Sequence, residues 1–451
     1  MDIKFLKTVG LHILLGIVIY SFRSLGDLVL LAAVLYFSRK ASITKSSKKP
    51  LVFLYACAYI TGLEVLLRMT GGAILYEACK YLVIIFSVCG IFSKGINSKS
   101  IIYLLYLLLL IPSVYLSLYE VDYGLNVRKA IAFNLSGPYC LGIAAIFVYG
   151  LKINKKELFR LFNFILFPLI STTVYLFVFN PDVSEVITGT GSNYASSGGF
   201  GPNQVATVLG LGMFILTVKY FYFSNTVLAK SIDLILLALF SFRAIVTFSR
   251  GGVITAIGMI IVFLVLLFFS TSAQKKRSIF ISIVLFLSIA TVTWIISSIQ
   301  TNGFIDKRYA NQNATGVEKD DLTTGRAELF EFELNEFLQN PFFGIGVGRV
   351  KQVRFEATGM HAASHNELSR IIAEHGILGV IAFSILLFTP LLYFLRTRKS
   401  IFFFSFYIFW FLTVNHSSMR IAAPAFIYAL TLLNYTNENP TLHRQQAIAE
   451  E

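Results

Sequence analysis

Apolar runs of bilayer-spanning length recur along almost the whole chain, and nothing else in the sequence limits its fold as strongly. A helix needs roughly 20 mainly apolar residues to cross a bilayer, and inside the bilayer it must satisfy its own backbone polar groups. Reading the runs between polar breaks gives fourteen stretches, at about 5–22, 24–38, 50–67, 73–92, 100–118, 130–150, 158–179, 202–218, 231–248, 251–270, 279–299, 367–395, 400–415 and 420–435. The second and the last two are short. The expectation is therefore an all-α polytopic membrane protein with about 12–14 transmembrane helices and one large external (periplasmic) loop containing short helices. Composition agrees: 56% of the 451 residues are apolar and 14% charged, against ~45–50% and ~25% in an average soluble domain. A soluble globular enzyme, a disordered chain and a disulfide scaffold are excluded. The first residues run straight into an apolar stretch without a small-residue cleavage site, so the N-terminus reads as the first membrane helix. Cys57, Cys79, Cys89 and Cys140 lie inside apolar stretches without CxxC spacing and read as small buried residues.

The net charge of +14 resembles a nucleic-acid signal, but in so apolar a chain it reports topology. Alternate connections, from Lys4/Lys7 to Arg396–Lys399, hold 21 basic residues, mostly Lys. By the positive-inside rule these connections are cytoplasmic, as are both termini. The opposite set favours arginine, with ten Arg and four Lys, among them Arg128, Arg243, Arg250, Arg308, Arg326, Arg354 and Arg420. Arginine grips phosphate through a planar fork, where lysine acts as a point charge. Any one of these arginines could instead anchor at lipid headgroups. Together they suggest an external site for a lipid-linked phosphate or pyrophosphate, with no nucleic acid involved.

Residues 300–365 form the one large hydrophilic stretch, and loops well beyond ~15 residues are usually functional. An acidic patch (Glu318, Asp320, Asp321) precedes apolar residues Leu329, Phe330, Leu334, Phe337 and Leu338 at helical spacing. The spacing predicts a helix from Arg326 to Gln339, stopped by Asn340-Pro341 and lying on the membrane surface or against the bundle. Gly344, Gly346 and Gly348 follow, a weak nucleotide signal without strand–helix context. Ser364 and Glu367 fit a capping box, which would place His365 at a helix start, where the positive end of the helix favours neutral imidazole. Such a histidine suits a general base, although a local capping role fits as well. His361, His375 and His416 read as structural. Glu367, Arg370 and Glu374 are spaced to pair with one another, and so are Glu77 and Lys80. In Phe248-Ser249-Arg250-Gly251-Gly252 the glycines would permit a tight turn with exposed amides. Gly201-Pro202-Asn203 opens another span on the same face.

These motifs resemble the bacterial O-antigen ligase and O-antigen polymerase family. The strongest match is His365-Asn366, nine residues, then Gly376-Ile377-Leu378-Gly379. Ser249-Arg250-Gly251-Gly252 resembles a second family signature, Gly325-Arg326 with Asn340-Pro341 and the spaced glycines a third, and Gly201-Pro202-Asn203 a fourth. Phe330 departs from the pattern, since some ligases carry Leu there. The resemblance implies a membrane glycosyltransferase using an undecaprenyl-pyrophosphate-linked oligosaccharide, without metal, nucleotide or other cofactor. His365 would activate the acceptor hydroxyl, and Arg250, Arg326 and Arg243 would hold the leaving pyrophosphate. Asn366, Asn203, Arg128, Arg420 and Arg370 are secondary candidates. Implied partners are the acceptor glycan, membrane lipids and a chain-length regulator, with the site facing the periplasm from the cytoplasmic (inner) membrane.

The expected organisation is N-terminal membrane helices over 1–195, membrane helices with the Ser-Arg-Gly-Gly turn over 196–300, an external catalytic loop over 301–365, C-terminal membrane helices over 366–436 and a cytoplasmic tail over 437–451. Between polymerase and ligase, the departure at Phe330 and the Phe-, Ile- and Asn-rich composition lean towards polymerase. A transporter or flippase should show repeated halves and charges near mid-bilayer. No internal repeat is visible, and the polar motifs lie on one face.

Overall fold

The computed structural model describes residues 3–71, 77–120, 126–319, 321, 325–359, 362–397 and 400–436. His361, Asp320, the beginning of the 73–92 stretch and the 437–451 tail lie outside the described residues. Helix dominates, as the apolar runs require. The first half holds α1 (Ile3–Ser21), α2 (Leu25–Ile43), α3 (Lys49–Thr70), α4 (Ala78–Lys94), α5 (Ile101–Leu109), α6 (Pro112–Glu120) and α7 (Val127–Val148). A short strand, β1 (Lys152–Asn154), leads into α8 (Lys155–Phe179), α9 (Pro202–Val218), α10 (Val227–Ile245), α11 (Arg250–Phe269) and α12 (Ala273–Gln300). The hydrophilic segment carries α13 (Phe304–Tyr309), α14 (Arg326–Gln339) and α15 (Val350–Thr358). The chain then returns through α16 (Glu367–Thr397), α17 (Phe403–His416), α18 (Ala422–Leu430) and β2 (Asn434–Thr436).

Each of the fourteen apolar stretches falls on a helix or a broken helix pair, but they differ in reach. Eight helical segments among the described residues are long and apolar enough to cross a membrane, from Ser46–Thr70 to Glu367–Thr397. The others fall short for visible reasons. α2 carries Asp27, Arg39 and Lys40, and α10 carries Lys230, Asp233 and Arg243. α4, α17 and α18 have only 17, 14 and 9 residues. The protein is a multi-pass membrane protein whose bundle mixes full spans with shorter, packed helices. α9 is buried nearly all round, while α12 turns Phe280, Ile281, Val284, Leu287 and Ile295 outward, as a lipid-facing helix does.

Several charges inside the bundle are paired with opposite charges. Glu64 binds Arg68 at 2.6 Å and accepts the Ala422 amide at 2.6 Å, so it ties α3 to the start of α18. Glu77 meets Lys80 as its one-turn spacing predicts, and also accepts from Ser136 at 2.5 Å and from Arg68 at 3.5 Å. Lys219 lies 3.5 Å from Asp233 between α9 and α10. The cysteines are free; Cys57, Cys79 and Cys140 are buried and Cys89 half-buried.

The paired glycines at 251–252 sit inside α11 and make no turn; the left-handed residue is Phe248, with φ of 60°. Their role is close approach. A Cβ on Gly252 would lie 2.5 Å from the Ala206 carbonyl carbon of α9. Gly252→Ala should therefore destabilise the protein by roughly 1–3 kcal/mol, the usual cost of overpacking, read as thermal unfolding in detergent. Gly258→Ala, where the nearest atom is 3.5 Å away, should unfold no earlier than the wild type.

Candidate active site

Four helix starts and one helix end meet at one end of the bundle: those of α9, α11, α14 and α16, and the last turn of α17. Between them lies a small, water-sized pocket of about 40 Å³, lined by Arg326, Leu329, Phe330, Glu333, His365, Asn366 and Asn415. α14 runs over the residues its apolar spacing predicts, Arg326 to Gln339, with Gly325 in the left-handed conformation before it.

His365 reaches this pocket by a route the sequence does not reveal. The cap of α16 is Asn366, whose side chain accepts the amides of Leu368 at 2.9 Å and Ser369 at 3.3 Å. The Ser364–Glu367 capping box does not form, because the Ser364 hydroxyl donates to Glu333 at 2.5 Å and Glu367 binds Arg370. His365 thus precedes the cap rather than opening the helix. Its imidazole is held down to about 4, chiefly by burial and then by Arg420, Arg326, His416 and Arg354. The neutral form is favoured as expected, but by desolvation and neighbouring cations, with no contribution resolved from the helix end.

Glu333 is the hub of this segment. Its carboxylate is 1% exposed and accepts from Arg354 at 2.5 Å as well as from the Ser364 and Ser369 hydroxyls. Arg354 also donates to the Ala362 carbonyl at 2.7 Å, and Arg420 donates to the Ser364 carbonyl at 2.7 Å. The backbone on both sides of His365 is therefore pinned from α14, α15 and the segment after α17.

A second group of contacts sets the arginines. The Ser249 hydroxyl donates to Asn203 Oδ1 at 2.7 Å, which fixes the approach to Arg250. The buried Phe248 carbonyl accepts from Arg308 Nε at 3.2 Å. A bulky residue at positive φ costs of order 1–3 kcal/mol and persists only where its surroundings over-determine it. Arg308 is pushed below the usual arginine value by burial and then by Arg250 and Arg326, and Arg326 by burial and Arg250. Gly251 leaves room for the His416 ring, which lies 3.4 Å from the Thr207 hydroxyl.

The sequence candidates separate clearly. Arg250, Arg326, His365, Asn366, Asn203 and Arg420 gather here. Arg370 is instead buried in an ion pair with Glu367 and Glu374, as its spacing predicts. Arg243 is buried over the Phe177 ring at 4.1 Å and donates to the Asn180 carbonyl at 2.7 Å, outside the pocket. Arg128 is exposed at the start of α7, and no described contact joins it to the cluster. Arg308, Glu333 and Arg354 carry no motif, and His416 shows no spacing that marks it for the site. The arginine bias of the outer face is the one sequence signal that includes Arg308 and Arg354. The spaced glycines at 344, 346 and 348 all have positive φ and strap the chain against α6 and α16, where Gly376 breaks the helix (φ 61°).

Residues 235–384 match the family model described as O-Antigen ligase. The matched stretch holds Arg250, Arg326 and His365, and it supports a likeness to the O-antigen polymerase and ligase family. No match is found among curated proteins. The family supports O-antigen polymerase or ligase activity in general, a glycosyltransferase-like chemistry on lipid-linked oligosaccharides at a membrane.

Glu333→Ala should cost about 3–5 kcal/mol by stranding the buried Arg354, measured by thermal unfolding of the purified protein. Adding Arg354→Met should recover more than half of that loss.

Proposed function

We propose that the protein is a polysaccharide polymerase of the outer face of the cytoplasmic membrane. It transfers an undecaprenyl-pyrophosphate-linked glycan to a hydroxyl of an acceptor lipid-linked repeat unit. The observation that carries this reading is the neutral imidazole of His365 sharing a pocket with Arg326, beside Arg250 and Arg308. The acceptor oxygen attacks the anomeric carbon while His365 takes its proton. The bond from that carbon to the pyrophosphate oxygen breaks, and the electron pair leaves with the lipid pyrophosphate. Charge grows on that leaving oxygen in the transition state, where fixed guanidinium groups stabilise it most. Asn203 holds the turn that carries Arg250, and Arg420 holds the carbonyl before His365. Phe330, the departure from the ligase pattern, lies on the pocket wall. The description of the matched family keeps a second reading, transfer of finished glycan to a lipid A core.

Deleting the gene and resolving surface glycan on a gel separates the two. A core bearing a single repeat unit means polymerase; a bare core, with long chains accumulating on the lipid carrier, means ligase. His365→Ala should lower chain elongation by about 10²–10⁴, with the protein still reaching the membrane, and normal long chains would sink the general-base role. Arg250→Lys and Arg326→Lys should each lower turnover by about a hundredfold; wild-type rates would refute pyrophosphate gripping.

The pH dependence follows from the lowered imidazole. Protonation removes the base, so kcat/KM should stay level below neutrality and fall only as pH drops through about 4. Bound pyrophosphate offsets the charge of the arginines and raises the imidazole, so the acid limb of kcat should lie at higher pH than that of kcat/KM. Coincident limbs would show that the phosphates do not sit beside His365.

A further inference from the structure

The opposite end of α14 borders a second, larger cleft of about 570 Å³. That volume falls in the range of small-ligand sites, which combine aromatic walls with a few placed polar groups. Phe342 and Phe343 line the cleft, 72% and 53% exposed. Glu336, Gln339, Arg349 and Glu356 also line it and supply carboxylate, amide and guanidinium groups. We infer that this cleft binds the glycan part of the substrate, a neutral saccharide, at a distance from the reacting centre. The inference rests on the glycan-transfer reading.

Three observations select a saccharide. First, the charges of the cleft are two carboxylates and one guanidinium, so it repels phosphates and anionic headgroups that suit the arginine-rich pocket. Second, an acyl chain would strip water from the Glu336 carboxylate and the Gln339 amide without replacing it, whereas sugar hydroxyls can bond to them while the apolar faces of the rings rest on phenylalanine. Third, the walls are rigid. The Phe343 carbonyl accepts from Ser113 at 3.0 Å, the Ile377 amide donates to Pro341 at 2.7 Å, and the Gly348 amide donates to Glu374 at 2.9 Å. A preformed wall loses little entropy on binding. Burial raises the Glu336 carboxyl, with Arg349 opposing, as expected in a partly closed cleft. At 1.5 Å per residue the cleft lies about 20 Å along α14 from Arg326, so a chain of several sugar rings would reach both ends. Binding energy gathered there can be used to position the bond that breaks.

The test uses the full-length protein in detergent. The probe is neutral repeat-unit oligosaccharide released by mild acid from the surface polysaccharide of cells that make the protein, with binding followed by saturation-transfer NMR. The wild type and His365→Ala should bind equally, and Phe342→Ala with Gln339→Ala should weaken binding at least tenfold. Both altered residues are exposed, so folding should be preserved, and wild-type thermal unfolding checks this. Inorganic pyrophosphate and phosphatidylglycerol should not displace the probe. Unchanged binding in the double variant, displacement by either anion, or absence of binding in the wild type would overturn the cleft assignment. In a parallel transfer assay with lipid-linked donor, an unaltered KM in the double variant would overturn the cleft while leaving glycan transfer intact. Binding that depends on the cleft in a protein without transfer activity would overturn glycan transfer and keep the cleft.

Discussion

A charge placed inside an apolar bundle needs an opposite charge beside it, because desolvation of a lone ion costs several kcal/mol. Much of the architecture follows from this. Glu64 and Arg68 join α3 to α18, Lys219 and Asp233 join α9 to α10, and Glu333 and Arg354 join α14 to α15. The cluster at Arg250, Arg308 and Arg326 has the reverse character, since neighbouring guanidiniums there disfavour one another's charge. In the proposed reaction the lipid pyrophosphate brings the compensating negative charge.

Features set by neighbours along one helix were legible in the sequence. The span of α14 followed from its apolar spacing and the Asn340-Pro341 stop, and the Glu367–Arg370–Glu374 and Glu77–Lys80 groups followed from spacings of one or two turns. Features decided by distant partners were not. Ser364 looks like a helix cap until Glu333, thirty-one positions upstream, takes its hydroxyl. Gly251 and Gly252 look like a turn until α9 and His416 are packed against them. Arg308 carries no motif, and in the cluster its Nε donates to the carbonyl of the strained Phe248. The candidate histidine and two of its arginines were thus visible from motifs, while the groups that hold them in place were not.

His365 has no helix of its own to stand on. Its position is the resultant of Glu333, Arg354 and Arg420 acting on the residues around it, so disturbances in α14 or α15 reach it through the backbone. The Gly-rich strap adds a further restraint, because it ties α16 to α6 on either side of the break at Gly376.

The smallest element sets an order of events. β1 and β2 pair in parallel, Lys152 opposite Asn434 and Asn154 opposite Thr436, and the Tyr222 and Tyr435 hydroxyls meet at 2.8 Å nearby. β1 is translated well before its partner strand exists. Membrane insertion can proceed helix by helix, but this seam closes only after α18 has been made. In a nascent chain stalled in α16 or α17, β1 would therefore have no strand to pair with.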